Sequence, residues 1–373
     1  MGCYSLSRKV FTLGYWHQNY GDDLFLQTLC QRYSDVTFYI LANSKFIQGV
    51  EELKNLRVIR YGFVLRMLDA ILRRLGLPSV TALVGRFRFK DFIEIGGSIF
   101  MEEENWLEKY RERVYIQKHC ISYSVLGSNF GPYSSPEFKQ RYEQFFDSVT
   151  QVVFRDRYSK QLFETNNNIS WGPDLNFAAN LPEEARTKEE DNKKSLSISV
   201  INPEWKSSQS EKSVTNRQYV DFLTTVTRNA IQNNFEVHLL SFCEGEGDLK
   251  IAEQVKAKFI NSPEVIIDNY ETLTAMTKQI SKSSFLIGCR FHAVVLGLLT
   301  GIPTLPVAYG RKTQSLIEDI FSAKLWLSIP ELVELKPSEI RSAGVRLPSS
   351  DRKRIVTKAE EQFERLDHIL KSN

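Results

Sequence analysis

Residues 284–321 read SFLIGCRFHAVVLGLLTGIPTLPVAYGRKTQSLIEDIF, and the architecture follows from how that stretch alternates. Phe285 to Cys289 is a short apolar run, and Phe291 to Leu299 is a longer one closed by Gly301 and Pro303. Thr304 to Tyr309 is extended, and Thr313 to Phe321 is periodic at helical spacing. Strand, helix, strand, helix is the pattern of consecutive βα units in a parallel sheet.

The first junction carries Arg290 and His292, and the second Arg311 and Lys312, each beside the N-terminal turn of a helix. Unsatisfied N–H groups and the helix dipole already make such a position electropositive, so a cation is disfavoured there unless an anion is bound. Helix starts with basic side chains at the carboxyl edge of adjacent parallel strands form a phosphate or carboxylate site. The competing reading leaves Arg290 and Lys312 in solvent and makes His292 a core histidine. Arg155, which directly follows the strand Thr150 to Phe154, is a third cation at a strand end, with an ion pair to Asp156 or a neighbouring acid as its structural alternative, the two not being exclusive.

Outward from this stretch the same alternation recurs in two halves. Val10 to Tyr15, Val36 to Ile40, Arg57 to Arg60, Phe92 to Ile95 and Cys120 to Leu126 read as strands before residue 150. Leu196 to Ile201, Phe235 to Phe242 and Glu264 to Ile267 read as strands after residue 195, with helices between them. The expected organisation is an N-terminal Rossmann-like domain over residues 1–185, a polar linker over 186–195, a C-terminal Rossmann-like domain over 196–349 and one terminal helix over 350–373. The fold class is α/β, two Rossmann-like domains facing across a cleft.

With 373 residues, 42% hydrophobic and 25% charged, the chain has the composition of a globular protein with more than one core. A net charge of +3 is too mild for a nucleic-acid binder. The five cysteines are scattered without zinc spacing, as expected of reduced thiols in a cytoplasmic protein, and no disulfide framework is predicted. The start MGCYSL carries neither a signal-peptide apolar region nor a myristoylation pattern, and no run is long enough to span a membrane. Glu244, Glu246 and Asp248 are too loosely spaced for a metal site, so no metal is expected and Asp248 reads as a helix N-cap. Between Arg60 and Lys90 seven basic residues stand against the single acid Asp69, interleaved with apolar side chains. That segment suits an anionic membrane surface or a lipid-linked acceptor. It equally suits a helix that turns its apolar stripe to the core and solvates its arginines.

RFHA after a strand, followed by a proline-containing strand ending in Tyr309 and Lys312, resembles the C-terminal signature of the polysaccharide pyruvyl transferase family. GYWHQNYGDD at 14–23, IEIGGSIF at 93–100, LGSNFGPY at 126–133, FRDRYS at 154–159 and GPDLNF at 172–177 agree with it in order. The resemblance implies a GT-B-like architecture and transfer of pyruvate from phosphoenolpyruvate to a sugar hydroxyl pair as a ketal, with no cofactor beyond that co-substrate. It places Arg155, Arg290, Lys312 and Gly97 on the donor, with His292 and Arg290 catalytic. It places Asn19, Gly21 and Asp22 on the acceptor, although Asp22 and Asp23 also read as a cap and a first-turn acid. The implied acceptor is a sugar or lipid-linked oligosaccharide of a cell-surface polysaccharide. A sugar-nucleotide glycosyltransferase and a silent binding member of an assembly complex are the rival readings.

Overall fold

The computed structural model describes residues 8–181, 194–206 and 214–371. The expected linker therefore lies largely outside the described residues. The chain divides into two compact units. The first comprises Met1–Trp16, Phe25–Ala178 and Lys358–Asn373, and the second comprises His17–Leu24 and Ala179–Thr357. Against the sequence-based boundaries, residues 17–24 and 179–181 belong by contact to the second unit, as do residues 350–357 of the expected terminal helix, and the chain from Lys358 onward belongs to the first.

The first unit is built on a seven-stranded sheet. Its strands are β1 (Lys9–Leu13), β2 (Thr37–Ala42), β3 (Leu56–Arg60), β4 (Asp91–Ile95), β5 (Ser122–Ser128), β6 (Gln151–Phe154) and β7 (Ile169–Trp171). They lie in the order β3-β2-β1-β4-β5-β6-β7, all paired parallel. The strand order reverses between β1 and β4, which is where a doubly wound sheet opens a crevice at its carboxyl edge. β4, β5 and β6 are buried along their whole length because helices cover both faces of the sheet. The core is aromatic: Phe92, Phe100, Phe138, Tyr142, Phe145, Phe146 and Phe163 pack mostly edge to face.

The second unit repeats the plan with β8 (Ser195–Ser199), β9 (Glu236–Ser241), β10 (Val265–Asn269), β11 (Phe285–Gly288), β12 (Thr304–Ala308) and β13 (Leu327–Ser328). Their order is β10-β9-β8-β11-β12-β13, again parallel throughout. Here the reversal falls between β8 and β11. The helix Phe291–Thr300 is apolar all round and correspondingly buried, and Gly301 ends it in the left-handed conformation at φ 73°. Gly297 lets this helix lie directly on the sheet, since a Cβ there would stand 2.2 Å from Thr304 Oγ1. Together the two βα units expected from residues 284–321 form the centre of this sheet.

The expected single C-terminal helix is two, Ser349–Glu361 and Glu364–Lys371. Phe363, fully buried at the break, packs against Tyr33 within the first unit. Among the described residues no helix is long and apolar enough to cross a membrane.

Candidate active site

In the second unit the carboxyl ends of β8 and β11 are joined by one hydroxyl. Ser199 Oγ accepts the backbone N–H groups of Cys289 (2.9 Å) and Arg290 (3.0 Å). Both amides lie in the turn into the helix Phe291–Thr300, so Ser199 sets the direction in which that turn leaves the sheet.

Arg290 occupies the N-cap position of this helix, and its guanidinium turns back into the protein. Its Nε donates to Asp248 Oδ2 at 2.8 Å, its Nη1 to Glu246 Oε2 at 2.5 Å, and its Nη2 to Asp248 Oδ1. Asp248 Oδ2 also accepts the amides of Phe242 (3.2 Å) and Cys243 (3.1 Å). The expected capping role of Asp248 is thus corrected: Gly247 is the N-cap, and Asp248 is a buried anchor for Arg290. Burial alone would lower the pKa of Arg290, but the Asp248 and Glu246 carboxylates hold it well above the ordinary arginine value. Each guanidinium nitrogen therefore has a carboxylate partner within the protein. What Arg290 does here is tie the loop after β9 to the turn after β11.

His292, two residues on, is half-buried in the first helical turn. Its imidazole packs onto the backbone of Gly21: a Cβ at that position would lie 1.6 Å from His292 Nδ1. No other residue fits there without moving the ring. Phe291 meets the imidazole edge-on with centroids 5.0 Å apart. The ammonium of Lys312 lies 5.7 Å from the Phe291 ring centroid and 5.1 Å from that of Tyr309, which brings the second βα junction to the flank of the first.

Gly21 is delivered by the loop after β1. Asn19 Oδ1 accepts the Gly21 amide at 3.1 Å, and the Asn19 carbonyl accepts the Asp23 amide at 3.0 Å, so Asn19 shapes the start of the helix Tyr20–Arg32. Tyr20 fixes this turn to the second unit through its amide on the Phe242 carbonyl (3.2 Å) and its hydroxyl with Thr277 Oγ1 (2.6 Å). Asp22 is half-buried, whereas Asp23 is buried and accepts from the Tyr270 hydroxyl at 2.9 Å. Burial pushes the Asp23 carboxyl up to about 8 against the opposing effect of that hydrogen bond, with Asp22 adding to the rise. Sequence reasoning weighed Asp23 only as a first-turn acid. Its hydrogen-bond partner Tyr270 is 247 residues away, so nothing in the local sequence signals this.

Arg155 belongs to a second cluster, within the first unit at the carboxyl end of β6. Its Nη1 donates to Asp174 Oδ2 (3.1 Å) and its Nη2 to Asn129 Oδ1 (2.8 Å). Asp174 is thus a partner of Arg155, and Asp156 caps the helix Arg157–Gln161 through the Ser159 amide. Gly97 lies against the guanidinium, where a Cβ would come within 2.4 Å of Nη2, and its carbonyl accepts the Asn129 amide at 2.8 Å. Four of the short motifs, at 93–100, 126–133, 154–159 and 172–177, thus converge on one guanidinium. The structure brings Gly21 and His292 together in the second unit, with Lys312 beside the rings of Phe291 and Tyr309, and it brings Gly97 and Arg155 together in the first.

The sequence matches the family model for polysaccharide pyruvyl transferase over residues 19–311. The chain belongs to the polysaccharide pyruvyl transferase family. A search of curated proteins finds no sequence match. Among solved structures, the UDP-N-acetylglucosamine 2-epimerase of Rickettsia bellii is similar with a TM-score of 0.58 at 8% identity, over 98% of this chain and 97% of that one. HepE of Anabaena, in complex with UDP and glucose, is similar with a TM-score of 0.52 at 11% identity, over 98% and 97%. The UDP-GlcNAc 2-epimerase of Neisseria meningitidis bound to UDP-GlcNAc gives 0.54 at 11%, over 96% and 99%. At such identities the likeness is one of fold, and it places this pyruvyl transferase family member among GT-B-like α/β proteins.

Proposed function

We propose that the protein transfers the pyruvyl group of phosphoenolpyruvate to two hydroxyls of a sugar, with His292 as the proton donor. The observation that carries this is the seating of the His292 imidazole on Gly21, at the strand-order reversal of the second unit, with the Lys312 ammonium 5.7 Å from the ring centroid of the adjacent Phe291. Protonation of the donor methylene by His292 leaves a cation at the adjacent carbon, which one sugar hydroxyl attacks. Phosphate then leaves with the bonding electrons, and the second hydroxyl closes the ketal. The proton consumed at carbon is balanced by those the two hydroxyls release, one to restore His292 and one to phosphate. A carboxylate and a phosphate on one small donor suit Lys312 and the helix start beside it, and Arg155 is the donor contact proposed for the first unit. Arg290 enters as a positioning residue for the turn that presents His292. Asn19, Gly21 and Asp22 are proposed for the acceptor, a sugar of a cell-surface polysaccharide or of its lipid-linked precursor on the cytoplasmic side.

The test is a melting-temperature comparison of phosphoenolpyruvate with a panel of UDP-sugars, each with and without chelator. Phosphoenolpyruvate should stabilise the protein in both conditions and release phosphate only when an acceptor is added. Stabilisation by a nucleotide sugar alone would favour the glycosyltransferase reading.

A further inference from the structure

The helix Phe63–Arg74 is built inside out. At 100° per residue, Phe63, Val64, Met67, Leu68, Ile71 and the following Leu75 fall on one continuous arc. They are 68%, 75%, 51%, 44%, 52% and 66% exposed, so the apolar face looks away from the protein. The inward face is held by a carboxylate: Asp69 is buried, accepts the Val80 amide at 2.8 Å and takes Arg73 Nε at 2.7 Å. Burial would raise the Asp69 pKa, but the Val80 amide, Arg73 and Tyr61 hold it below its ordinary value. The reading that turned this stripe to the core is thereby overturned. An apolar arc of this length needs a non-aqueous partner.

We infer that this helix lays the first unit on an anionic lipid surface. The charge around the arc selects that occupant. Arg60, Arg66, Arg74, Arg88 and Lys90 are exposed and make no ion pair among the described residues. The one acid of the segment, Asp69, is already neutralised by Arg73. Arg74 lies inside the apolar arc and Arg66 on its margin, where long side chains hold their charge at headgroup level while their stems lie along hydrocarbon. Phe87, 74% exposed on the next helix between Arg86 and Arg88, repeats the combination. Two copies pairing through this face would set the same arginines against each other, which disfavours self-association. The inference goes beyond the proposed reaction and does not depend on the donor.

Full-length protein should co-sediment with phosphatidylcholine vesicles containing phosphatidylglycerol and stay in the supernatant with phosphatidylcholine alone, with binding falling as salt is raised. Met67→Glu combined with Ile71→Glu should abolish binding. Arg66→Ser combined with Arg74→Ser should weaken it by roughly fivefold for each arginine removed. These side chains are outside the proposed reaction site, so turnover of a soluble acceptor should be unchanged in both variants, and failure here would leave the reaction untouched. Wild-type protein that ignores anionic vesicles, or a glutamate variant that still binds them, would overturn the inference. So would a concentration-dependent dimer in sedimentation velocity that the glutamate pair abolishes, since the face would then be a self-association surface.

Discussion

His292 and Gly21 share one small volume, and that contact sets what each can do. His292→Gln keeps a hydrogen-bonding group of similar reach but cannot deliver a proton. It should bind phosphoenolpyruvate within a fewfold of the parent and lose about 10²–10⁴-fold in turnover, as measured by phosphate release. Loss of binding in step with turnover would make His292 a donor ligand. Asp23, on the same turn, offers a pH test. Its carboxyl titrates near 8 in the folded protein against 3.8 ordinarily, so between about 4 and 8 the folded state holds a proton that the unfolded chain has released. Stability from this group is therefore lost as pH rises across that window, by at most about 1.4 kcal/mol per unit. Asp23→Asn should raise the melting temperature more at pH 8 than at pH 5; an equal effect at both would mean that Asp23 is ionised in the fold. The places of His292, Lys312 and Gly21 at strand-to-helix junctions were legible in the sequence. The partners of Arg290 and Arg155 were not. Asp248 is 42 residues from Arg290 and Asp174 is 19 from Arg155, and nothing in the local spacing announces either pair.

At the scale of elements, hydrophobic periodicity showed that strands and helices alternate, because a strand buried on both faces and a helix buried all round each leave a continuous apolar run. It could not show what covers an apolar stripe, and for that reason the helix Phe63–Arg74 carried two readings until its exposed face was seen. The helices Val80–Arg88 and Trp106–Gln117 went unrecognised: one is interrupted by Gly85 and the other carries Arg113 inward to a buried pair with Glu94. The junction between β11 and its helix has an element-scale dependence of its own. Ser199→Ala would leave the amides of Cys289 and Arg290 without their acceptor in a buried turn. The expected cost is about 1–3 kcal/mol in urea unfolding, together with slower turnover at unchanged donor affinity if Arg290 and its turn only position His292. A variant with parent stability would show that the turn holds its course without the Ser199 hydroxyl.

For the molecule as a whole, contact does not follow chain order. The first unit is completed by residues 358–371, which return after the second unit has been built. Within the first unit, Arg32 pairs with Asp367 at 2.8 Å, the Tyr33 hydroxyl donates to the same carboxylate at 2.7 Å, and the Arg32 guanidinium lies 4.4 Å from the Phe363 ring centroid. Gln362 Nε2 reaches the Pro173 carbonyl at 2.7 Å, next to the Asp174 that holds Arg155. Residues 358–371 are thus part of the first unit's core. Phe363 is fully buried, so Phe363→Ala should cost about 3–5 kcal/mol. The loss should be local in a defined sense. Amide hydrogen exchange should quicken in the helix Tyr20–Arg32 beyond its first turn, in β1 and β2, and in the loop at Asp174, while β8 to β12 keep their protection. Quickening spread evenly over both sheets would mean that the two units unfold as one, and that the return of the chain stabilises the whole molecule and not the first unit alone.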